Sequence, residues 1–241
     1  MPSKASTGLT IRKMTERDIS AVEELYKYAA ITAENHRIRL SHGENSFERR
    51  GGMFIVQDRA SLEKFADKPE EKLIIADNRG DICGSLWYGR WFEGLFDDLK
   101  VFDGFEEYDG FIARKGREGR LAYAKEIIVR RPAPMASAAL MLFMHMMDDY
   151  LISGFEYVTG RLYRVDFYED ERGRRACRMI NTPSYRLLTR TGGLHIGQTG
   201  PVRITVDTYT ATVTPQVFVW KTSESSEILH SILRDELLAQ A

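Results

Sequence analysis

Two neighbouring groups in the middle of the chain have the chemistry of a catalytic or anion-binding site. Glu126 is the only carboxylate in the strand-like segment LAYAKEIIV, residues 121–129. A partly buried carboxylate with a raised pKa is suited to act as a general base, whereas a solvated carboxylate at the side of a strand is the plainer alternative. Arg130 and Arg131 follow at once. Their guanidinium groups can pair bidentately with phosphate oxygens, or they can form a basic surface turn.

A second stretch, NTPSYRLLTRTGG at residues 181–193, predicts a short capped helix between two strands. Thr182 can serve as the N-cap, and Pro183 fits the first helical position because its missing N–H costs nothing there. Gly192 can adopt the left-handed conformation that ends a helix. Asn181 is a typical turn residue at the end of the preceding strand.

The sequence shows no spacing typical of metal ligands. Cys83 and Cys177 are too few for a disulfide framework, which indicates a reducing compartment. His145 lies in an apolar helical segment and is expected in the core, and His195 is expected to pack within a strand. We therefore expect no bound metal.

The composition is that of an ordinary globular protein. The chain has 241 residues, of which 43% are hydrophobic and 29% charged, with a formal net charge of −1. A net charge this close to zero does not favour nucleic acid or an anionic membrane as a partner. The first residues, MPSKASTG, are not apolar, and no apolar run approaches about 18 residues. We expect a cytoplasmic protein with one domain over residues 1–241.

The order of the predicted elements indicates a mixed α/β fold. Antiparallel strands come first, including a hairpin that turns at Asn78-Arg79-Gly80, and a strand–helix–strand unit follows. The helix in that unit is apolar around nearly its whole circumference, which is typical of a buried helix. Two inserts interrupt the order near residues 92–120 and 164–178, and an amphipathic helix is predicted at about 223–240.

Several of these segments resemble the GCN5-related N-acetyltransferase (GNAT) superfamily. The spacing Asn-x-x-Ser-x-x-Leu-Leu-x-x-x-Gly from Asn181 to Gly192 resembles its closing motif. Four other segments follow in the family's order, and together they cover roughly residues 9–221. The resemblance implies a twisted, mostly antiparallel sheet of about six or seven strands flanked by helices, with parallel fourth and fifth strands that splay apart. The four segments are IRKMTERDISAVEELY, LIIADNRGDICGSLWYG, EIIVRRPAPMASAALMLFMHMM and VFVWKT.

The resemblance also implies a function. The protein would be an acyl-CoA-dependent N-acyltransferase, with acetyl-CoA or another acyl-CoA as co-substrate and a small amine or amino-acid-like compound as acceptor. Glu126 would take the proton of the amine, and a backbone N–H at Val129 or its neighbour would hold the thioester carbonyl. Residues implied in acyl-CoA binding are Ile128, Val129, Arg130, Arg131, Met135, Ala136, Ser137, Ala138, Ala139 and Asn181.

Some positions depart from the family pattern. Pro134, Ser137 and Ala139 stand where the pyrophosphate-binding loop usually has its Gln or Arg and its small residues, mostly glycine, and Leu188 replaces the usual tyrosine acid. Tyr185, one turn earlier, is either a substitute acid or a structural aromatic residue. The departures leave two alternatives open: a donor bound to a carrier protein, and a binding module without catalysis. The 92–120 insert could be an acceptor lid, a flap in a homodimer or a solvated loop.

Overall fold

The computed structural model describes residues 8–65, 70–130 and 135–239. Ten strands form one sheet, and most neighbours are antiparallel. The strands are β1 (Leu9–Lys13), β2 (Glu71–Asn78), β3 (Asp81–Arg90), β4 (Lys100–Val101), β5 (Leu121–Val129), β6 (Tyr157–Asp170), β7 (Gly173–Ile180), β8 (Leu194–Gln198), β9 (Val202–Val206) and β10 (Tyr209–Lys221).

Helices cover both faces of this sheet. Within the described residues, no helix is long and apolar enough to span a membrane. The α-helices are α1 (Ile19–Ala29), α2 (His36–Arg39), α3 (Phe47–Arg50), α4 (Arg59–Phe65), α5 (Phe111–Arg117), α6 (Met135–Ile152), α7 (Thr182–Arg190) and α8 (Thr222–Ala239).

The strand order is β1-β2-β3-β5-β6-β10-β8-β4, with β7 also paired to β6 and β9 also paired to β10. The one parallel pair described is β5 with β6, so the predicted mixed α/β fold with parallel neighbours at this position is confirmed. The predicted number of strands was too low. The charged insert at 164–178 is not a loop outside the sheet, because it continues β6 and returns as β7.

Two layers of apolar side chains pack on opposite faces of the sheet. Between α6 and the sheet, Phe143 and Met146 of α6 pack with Trp220 from β10. Between α1 and the sheet, Val22 and Tyr26 of α1 pack with residues of β2 and β3. His145 is exposed on the outer side of α6, so the prediction that it lies in the core was wrong.

A cluster of charged side chains fixes the beginning of α1 to the sheet. The Arg12 guanidinium in β1 lies 2.7 Å from Asp18 and 2.9 Å from Asp77 of β2. Asp18 also accepts hydrogen bonds from the N–H and the hydroxyl of Thr15. These bonds hold the pKa of Asp18 well below its usual range, with Arg12 as the largest cause. The cluster therefore positions the helix that carries Tyr26.

The 92–120 insert is folded rather than solvated. Its residues Leu95, Phe96 and Ile112 are buried against Val217 and Val219 of β10. It contributes β4, which pairs with β8 beside β10, and α5. The insert therefore extends the apolar core over one end of the sheet.

Candidate active site

The pairing of β5 with β6 stops early and leaves a gap in the sheet. Leu121–Ala124 pairs with Tyr157–Gly160, whereas β5 continues to Val129 along β3. Because β10 occupies the other side of β6, β5 and β7 share the same side of that strand. The pairing with β7 begins at Arg164. Residues 161–163 therefore face a gap between β5 and β7, and the predicted splaying of the two parallel strands is confirmed.

An extra residue in β5 lies where this gap opens. Trp87 of β3 is opposite Glu126, but Tyr88 is opposite Ala124, so Lys125 is bulged out of the pairing. A bulge bends its strand and increases the twist, which accounts for the departure of β5 from β6 after Ala124. The Lys125 ammonium lies 4.0 Å from the centroid of the Trp87 ring. The bulged side chain and Glu126 are therefore on the same face of the sheet.

Two backbone N–H groups of β5 are directed toward the gap. The Arg130 N–H donates to the Cys83 carbonyl in β3 over 2.8 Å. Because N–H directions alternate along a regular strand, the N–H groups of Ile127 and Val129 point away from β3. Val129 is the position at which a donor was expected from the sequence, and Ile127 adds a second one. Paired donors of this kind can stabilise negative charge that develops on a carbonyl oxygen.

Glu126 occupies a partly buried, hydrogen-bonded position beside the gap. Its Oε2 accepts a hydrogen bond of 2.7 Å from the Tyr26 hydroxyl, and its Oε1 lies 3.5 Å from the Gln57 amide nitrogen. Burial raises the pKa of Glu126, and the two donors offset this rise only in part. Burial also raises the pKa of Tyr26 far above its usual range, so the phenol remains a donor. A carboxylate in this setting has the properties of a general base.

A cavity of about 400 Å³, termed the central cavity, surrounds the gap. Its lining includes Phe143 and Trp220 from the layer under α6, and also Trp87 from the layer under α1. Since the walls come from both faces, the cavity passes through the sheet between β5 and β6. Glu126 is part of the lining, and the other aromatic residues around it are Phe47, Phe54, Phe92, Tyr123 and Tyr163.

A second cavity of about 620 Å³, termed the arginine-lined cavity, adjoins the first. It lies between the end of β5, the first turns of α6 and the helix α7. Four arginines contribute to its lining, so it is suited to an anionic ligand. The arginines are Arg39, Arg50, Arg186 and Arg190, and the residues shared by both cavities are Gly52, Met53, Ile127, Asn181 and Ser184.

Arg39 illustrates the electrostatic character of this second cavity. Its guanidinium donates to the backbone carbonyls of Gly51 at 3.1 Å and Tyr28 at 3.2 Å. Burial and the neighbouring Arg50 lower the pKa of Arg39. Across the described residues, no carboxylate lies within 4.0 Å of this guanidinium. A crowded cation held by neutral carbonyls is expected to attract a phosphate group.

The structure brings several of the predicted site residues to the two cavities. Glu126 lines the central cavity, and Asn181 lines both. Ile128, Val129 and Ala139 line the arginine-lined cavity. These residues come from β5, the chain before α7 and the first turns of α6, as the resemblance implied.

Other predicted residues lie elsewhere. Arg130 pairs with Asp81 and lines neither cavity. Ala138 is fully buried on the side of α6 that faces the core. Arg131 lies outside the described residues, as do the side chains of Met135, Ala136 and Ser137, so their predicted roles stay predictions.

Tyr185 does not contribute to the lining of either cavity. Its ring packs edge-on against Phe218 at 5.8 Å and His195 at 6.1 Å. His195 in turn stacks on Phe218, as expected for a histidine packed in a strand. This position favours the structural alternative for Tyr185 and gives no support to its role as an acid.

Asn181 has a structural role at the junction of the two cavities. Its side-chain oxygen accepts a hydrogen bond of 3.1 Å from the Ser184 N–H, so Asn181 is the N-cap of α7. The prediction of Thr182 as the N-cap was wrong by one residue. Gly51 lies so close that a Cβ atom there would be 2.2 Å from the Asn181 amide nitrogen. The chain at Gly51, just after α3, is thus packed directly on the beginning of α7.

Sequence reasoning missed the partners that complete the site. Tyr26 belongs to the apolar stripe of α1 and resembles an ordinary core residue. Arg39 and Arg50 lie in a polar stretch that predicted only a loop or irregular helix. The available signal was the recurrence of arginine in NHRIRL and ERRGG, which places several cations close together in sequence.

Comparison with known proteins identifies the fold. The protein smu.2055 from Streptococcus mutans UA159 matches over 88% of this chain and 99% of its own, with 10% identity and a TM-score of 0.53. A protein assigned to the GNAT family, from Desulfovibrio desulfuricans, covers 89% and 99%, with 9% identity and a TM-score of 0.50. The yncA protein of Salmonella typhimurium, solved with acetyl-CoA, covers 89% and 94%, with 14% identity and a TM-score of 0.47.

Neither a protein-family model nor a curated protein sequence matches the chain. The agreement with the solved structures therefore concerns the fold. The chain has the GNAT fold, and the prediction of that fold is confirmed.

Proposed function

We propose that the protein is an acyl-CoA-dependent N-acyltransferase that acts on a small amine. The observation that carries this proposal is the position of Glu126, a partly buried carboxylate in a cavity that passes through the gap between β5 and β6. The same cavity shares five residues with the arginine-lined cavity. One cavity is therefore suited to an amine and the other to an anionic donor, and they meet at the gap.

The arginines of the second cavity suit the negative charge of an acyl-CoA donor. The arginine-lined cavity has a volume of about 620 Å³ and carries Arg39 and Arg50 on one side. On the other side are Arg186 and the beginning of α7. Guanidinium groups pair well with phosphate oxygens, so this cavity would hold the phosphorylated end of the donor. The donor would supply a thioester carbonyl to the gap.

In this reaction, Glu126 takes a proton from the ammonium form of the acceptor. The neutral amine nitrogen then attacks the thioester carbonyl. A C–N bond forms, the C–S bond breaks, and the sulfur leaves with the electron pair as coenzyme A thiolate. The thiolate takes up the second proton that the nitrogen loses when it becomes an amide, so the products are the amide and the free thiol. The N–H groups of Ile127 and Val129 would donate to the carbonyl oxygen as negative charge develops on it. Such a donor typically contributes about 2.7–4 kcal/mol.

The leaving thiolate needs no side-chain acid in this scheme. Tyr185 packs on Phe218, and Leu188 is apolar, so neither provides a proton at the gap. A coenzyme A thiolate is a comparatively good leaving group because a thiol is a much stronger acid than an amine. Because the thiolate accepts the second proton of the nitrogen, the direct reaction requires one proton acceptor from the protein, and Glu126 fills that role.

Binding and turnover test the proposal separately. Acetyl-CoA and longer acyl-CoAs would first be titrated by calorimetry, and thiol release would then be followed with a library of amines. We expect saturable binding below millimolar concentration and thiol release that depends on the amine. Arg39→Gln and Arg50→Gln should each weaken acyl-CoA binding by at least about fivefold, about 1 kcal/mol. Arg203→Gln, an exposed arginine of β9, is the matched control.

The two alternatives correspond to distinct outcomes of this experiment. If acyl-CoA does not bind but an acyl-carrier protein supports transfer, the donor is carrier-bound. If acyl-CoA binds and no amine is acylated, the protein is a binding module with the GNAT fold. Acetyl thioesters of pantetheine, which lack the nucleotide, should bind more weakly than acetyl-CoA if the arginines contact its phosphates.

A further inference from the structure

Arg161 is a second charged residue of the central cavity, and the proposed reaction does not use it. It lies in the three-residue stretch of β6 that faces the gap. Its Nε donates a hydrogen bond of 2.9 Å to the hydroxyl of Tyr123 in β5. Its guanidinium also lies within 6.0 Å of the ring centroids of Phe96, Tyr123 and Tyr163.

The guanidinium lacks a carboxylate partner among the residues that the structure describes. The carboxylate of Asp98 favours the charged form of Arg161, but it does so through longer-range electrostatics and not through a contact. Asp98 itself accepts a hydrogen bond of 2.6 Å from the Gly200 N–H, and no Arg161–Asp98 contact falls within ion-pair distance. The aromatic rings and the Tyr123 hydroxyl stabilise this half-buried cation, but they do not supply the carboxylate that a guanidinium pairs with most strongly. The missing partner is therefore expected to be a ligand.

Arg161 and Glu126 face the same side of the sheet. Tyr123 pairs with Thr159 in the parallel register, so Tyr123 and Arg161, two residues beyond Thr159, share a face. The Lys125 bulge then places Glu126 opposite Trp87, on the face covered by α1. Both charged groups line the central cavity, from opposite sides of the gap. A cation and a proton acceptor thus flank one space of about 400 Å³.

We infer that the acceptor is an amino acid, or a similar compound whose amine and carboxylate are a few bonds apart. Arg161 holds the carboxylate through its terminal nitrogens while Glu126 receives the ammonium group. The aromatic lining favours an apolar or aromatic side chain on this acceptor. The inference rests on the proposed N-acyltransferase function and adds the class of its substrate. In this role Arg161 is a specificity-determining residue and not a proton-transfer group.

Matched pairs of acceptors test this inference. L-Phenylalanine would be compared with phenethylamine, and L-leucine with isoamylamine, with acetyl-CoA as donor at one pH. We expect the wild-type kcat/KM for each amino acid to exceed that for its decarboxylated partner by at least about tenfold, about 1.4 kcal/mol. Arg161→Gln should remove this preference by raising KM for the amino acids, with little change for the amines. Comparing ratios between variants cancels the difference in amine basicity.

Two further variants separate recognition from folding. Arg161→Lys keeps the positive charge but lacks the planar guanidinium that binds a carboxylate through two hydrogen bonds. It should therefore retain part of the preference that Arg161→Gln loses. Arg164→Gln is the matched control, because Arg164 lies three residues along β6 and pairs with Asp166 instead of lining the central cavity. It should leave the preference intact. Equal losses for amino acids and amines in Arg161→Gln would overturn the inference.

The outcomes also distinguish this inference from the proposed function. Acylation of simple amines in preference to amino acids would overturn the inference and leave the proposed function standing. If no amine is acylated, calorimetric titration of L-phenylalanine into the protein with coenzyme A decides the inference alone. Binding that weakens at least tenfold in Arg161→Gln would support it, and absence of binding to the wild type at millimolar concentration would overturn it.

Discussion

The Tyr26 hydroxyl donates a 2.7 Å hydrogen bond to Glu126, and this contact joins α1 to the bulged part of β5 across 100 residues of sequence. Tyr26 is only 1% exposed, so its position is fixed by the packing of α1 on the sheet. The contact offsets part of the effect of burial on the pKa of Glu126. The position of the proposed base therefore depends on how α1 is attached to the sheet.

Replacing the proposed base should separate catalysis from donor binding. Glu126→Gln keeps the size of the side chain and removes its ability to accept a proton. We expect kcat/KM near neutral pH to fall at least about a hundredfold, since general acid–base contributions are typically about 10²–10⁴-fold. A higher pH should recover part of the rate, because the free amine then forms without help.

Steady-state kinetics from pH 6 to 10 and acyl-CoA titrations would check this variant. Acyl-CoA affinity should stay within about twofold of wild type, because the arginine-lined cavity is unchanged. Near wild-type rates for Glu126→Gln would assign proton removal to another group or to water.

Removing the Tyr26 hydroxyl should change the pH dependence rather than abolish the reaction. The hydroxyl stabilises ionised Glu126, so Tyr26→Phe should raise the pKa of Glu126 further. The acidic limb of the kcat/KM profile should then move to higher pH by about one unit, which corresponds to one hydrogen bond to a charged group. Tyr209→Phe is a suitable control, because that buried phenol donates to the Ile31 carbonyl instead. An unshifted limb would show that Tyr26 does not influence the base.

The attachment of α1 should depend on pH through Asp18. Arg12 lowers the pKa of Asp18, so the ionised carboxylate stabilises the fold above the ordinary Asp pKa of about 3.9. This contribution is lost as the pH falls through the lower pKa of the folded state. Asp18→Asn should cost on the order of 2 kcal/mol at pH 7. The difference from wild type should narrow toward pH 3.

Urea unfolding of Asp18→Asn and wild type at both pH values measures this difference. Asp103→Asn, at an exposed position in the 92–120 insert, serves as the control and should change little at either pH. A deficit in Asp18→Asn that is equally large at pH 3 would rule out ionisation of Asp18 as its cause.

A pair of glycine substitutions should show how strongly Gly51 is constrained by its backbone conformation and by its contact with Asn181. Gly51 and Gly110 have nearly the same positive φ, 69° and 66°, but a Cβ would meet nothing within 4 Å at Gly110. Gly110→Ala carries the cost of a left-handed backbone, about 1–2 kcal/mol, because ψ at Gly110 is −10°. At Gly51 ψ is −164°, a region that essentially only glycine adopts, so the backbone cost of Gly51→Ala is larger. Gly51→Ala also displaces Asn181, so it should lose at least about 1 kcal/mol more, which is a typical N-cap contribution.

Chemical denaturation gives the two free energies of unfolding, and acyl-CoA titration gives a second readout. Gly51→Ala should also weaken acyl-CoA binding, because Asn181 lines both cavities. Equal stability of the two variants would show that the Asn181 side chain moves aside without cost.

Local patterns were sufficient to predict much of the sheet. The Asn78-Arg79-Gly80 turn predicted the β2–β3 hairpin, and both central residues of that turn, Arg79 and Gly80, have positive φ. The strand–helix–strand order predicted the parallel pair. Glu126 could be selected because it is the single carboxylate of β5. These predictions depend on residues that are close together in sequence.

The remaining features depend on contacts between distant segments. Tyr26 and Glu126 meet only after α1 packs on the sheet, and nothing in either segment specifies the other. The bulge at Lys125 is set by its register against Trp87 and Tyr88, which the periodicity of β5 alone does not show. Arg161 likewise stands out as a candidate ligand-binding residue only because no carboxylate among the described residues pairs with it. This can be seen only when the whole cavity is assembled.

The length of the gap in the sheet has a consequence for how the protein behaves toward other polypeptides. Unpaired backbone groups in a sheet invite a strand from another chain, which is a common route to aggregation. On this side of β6, only residues 161–163 lie between the part paired with β5 and the part paired with β7. A typical strand has about five or six residues. An incoming strand would find too few hydrogen-bonding groups on β6 to pair on both of its sides. The opening is thus long enough for a small molecule, and its β6 side is too short to hold an inserted strand.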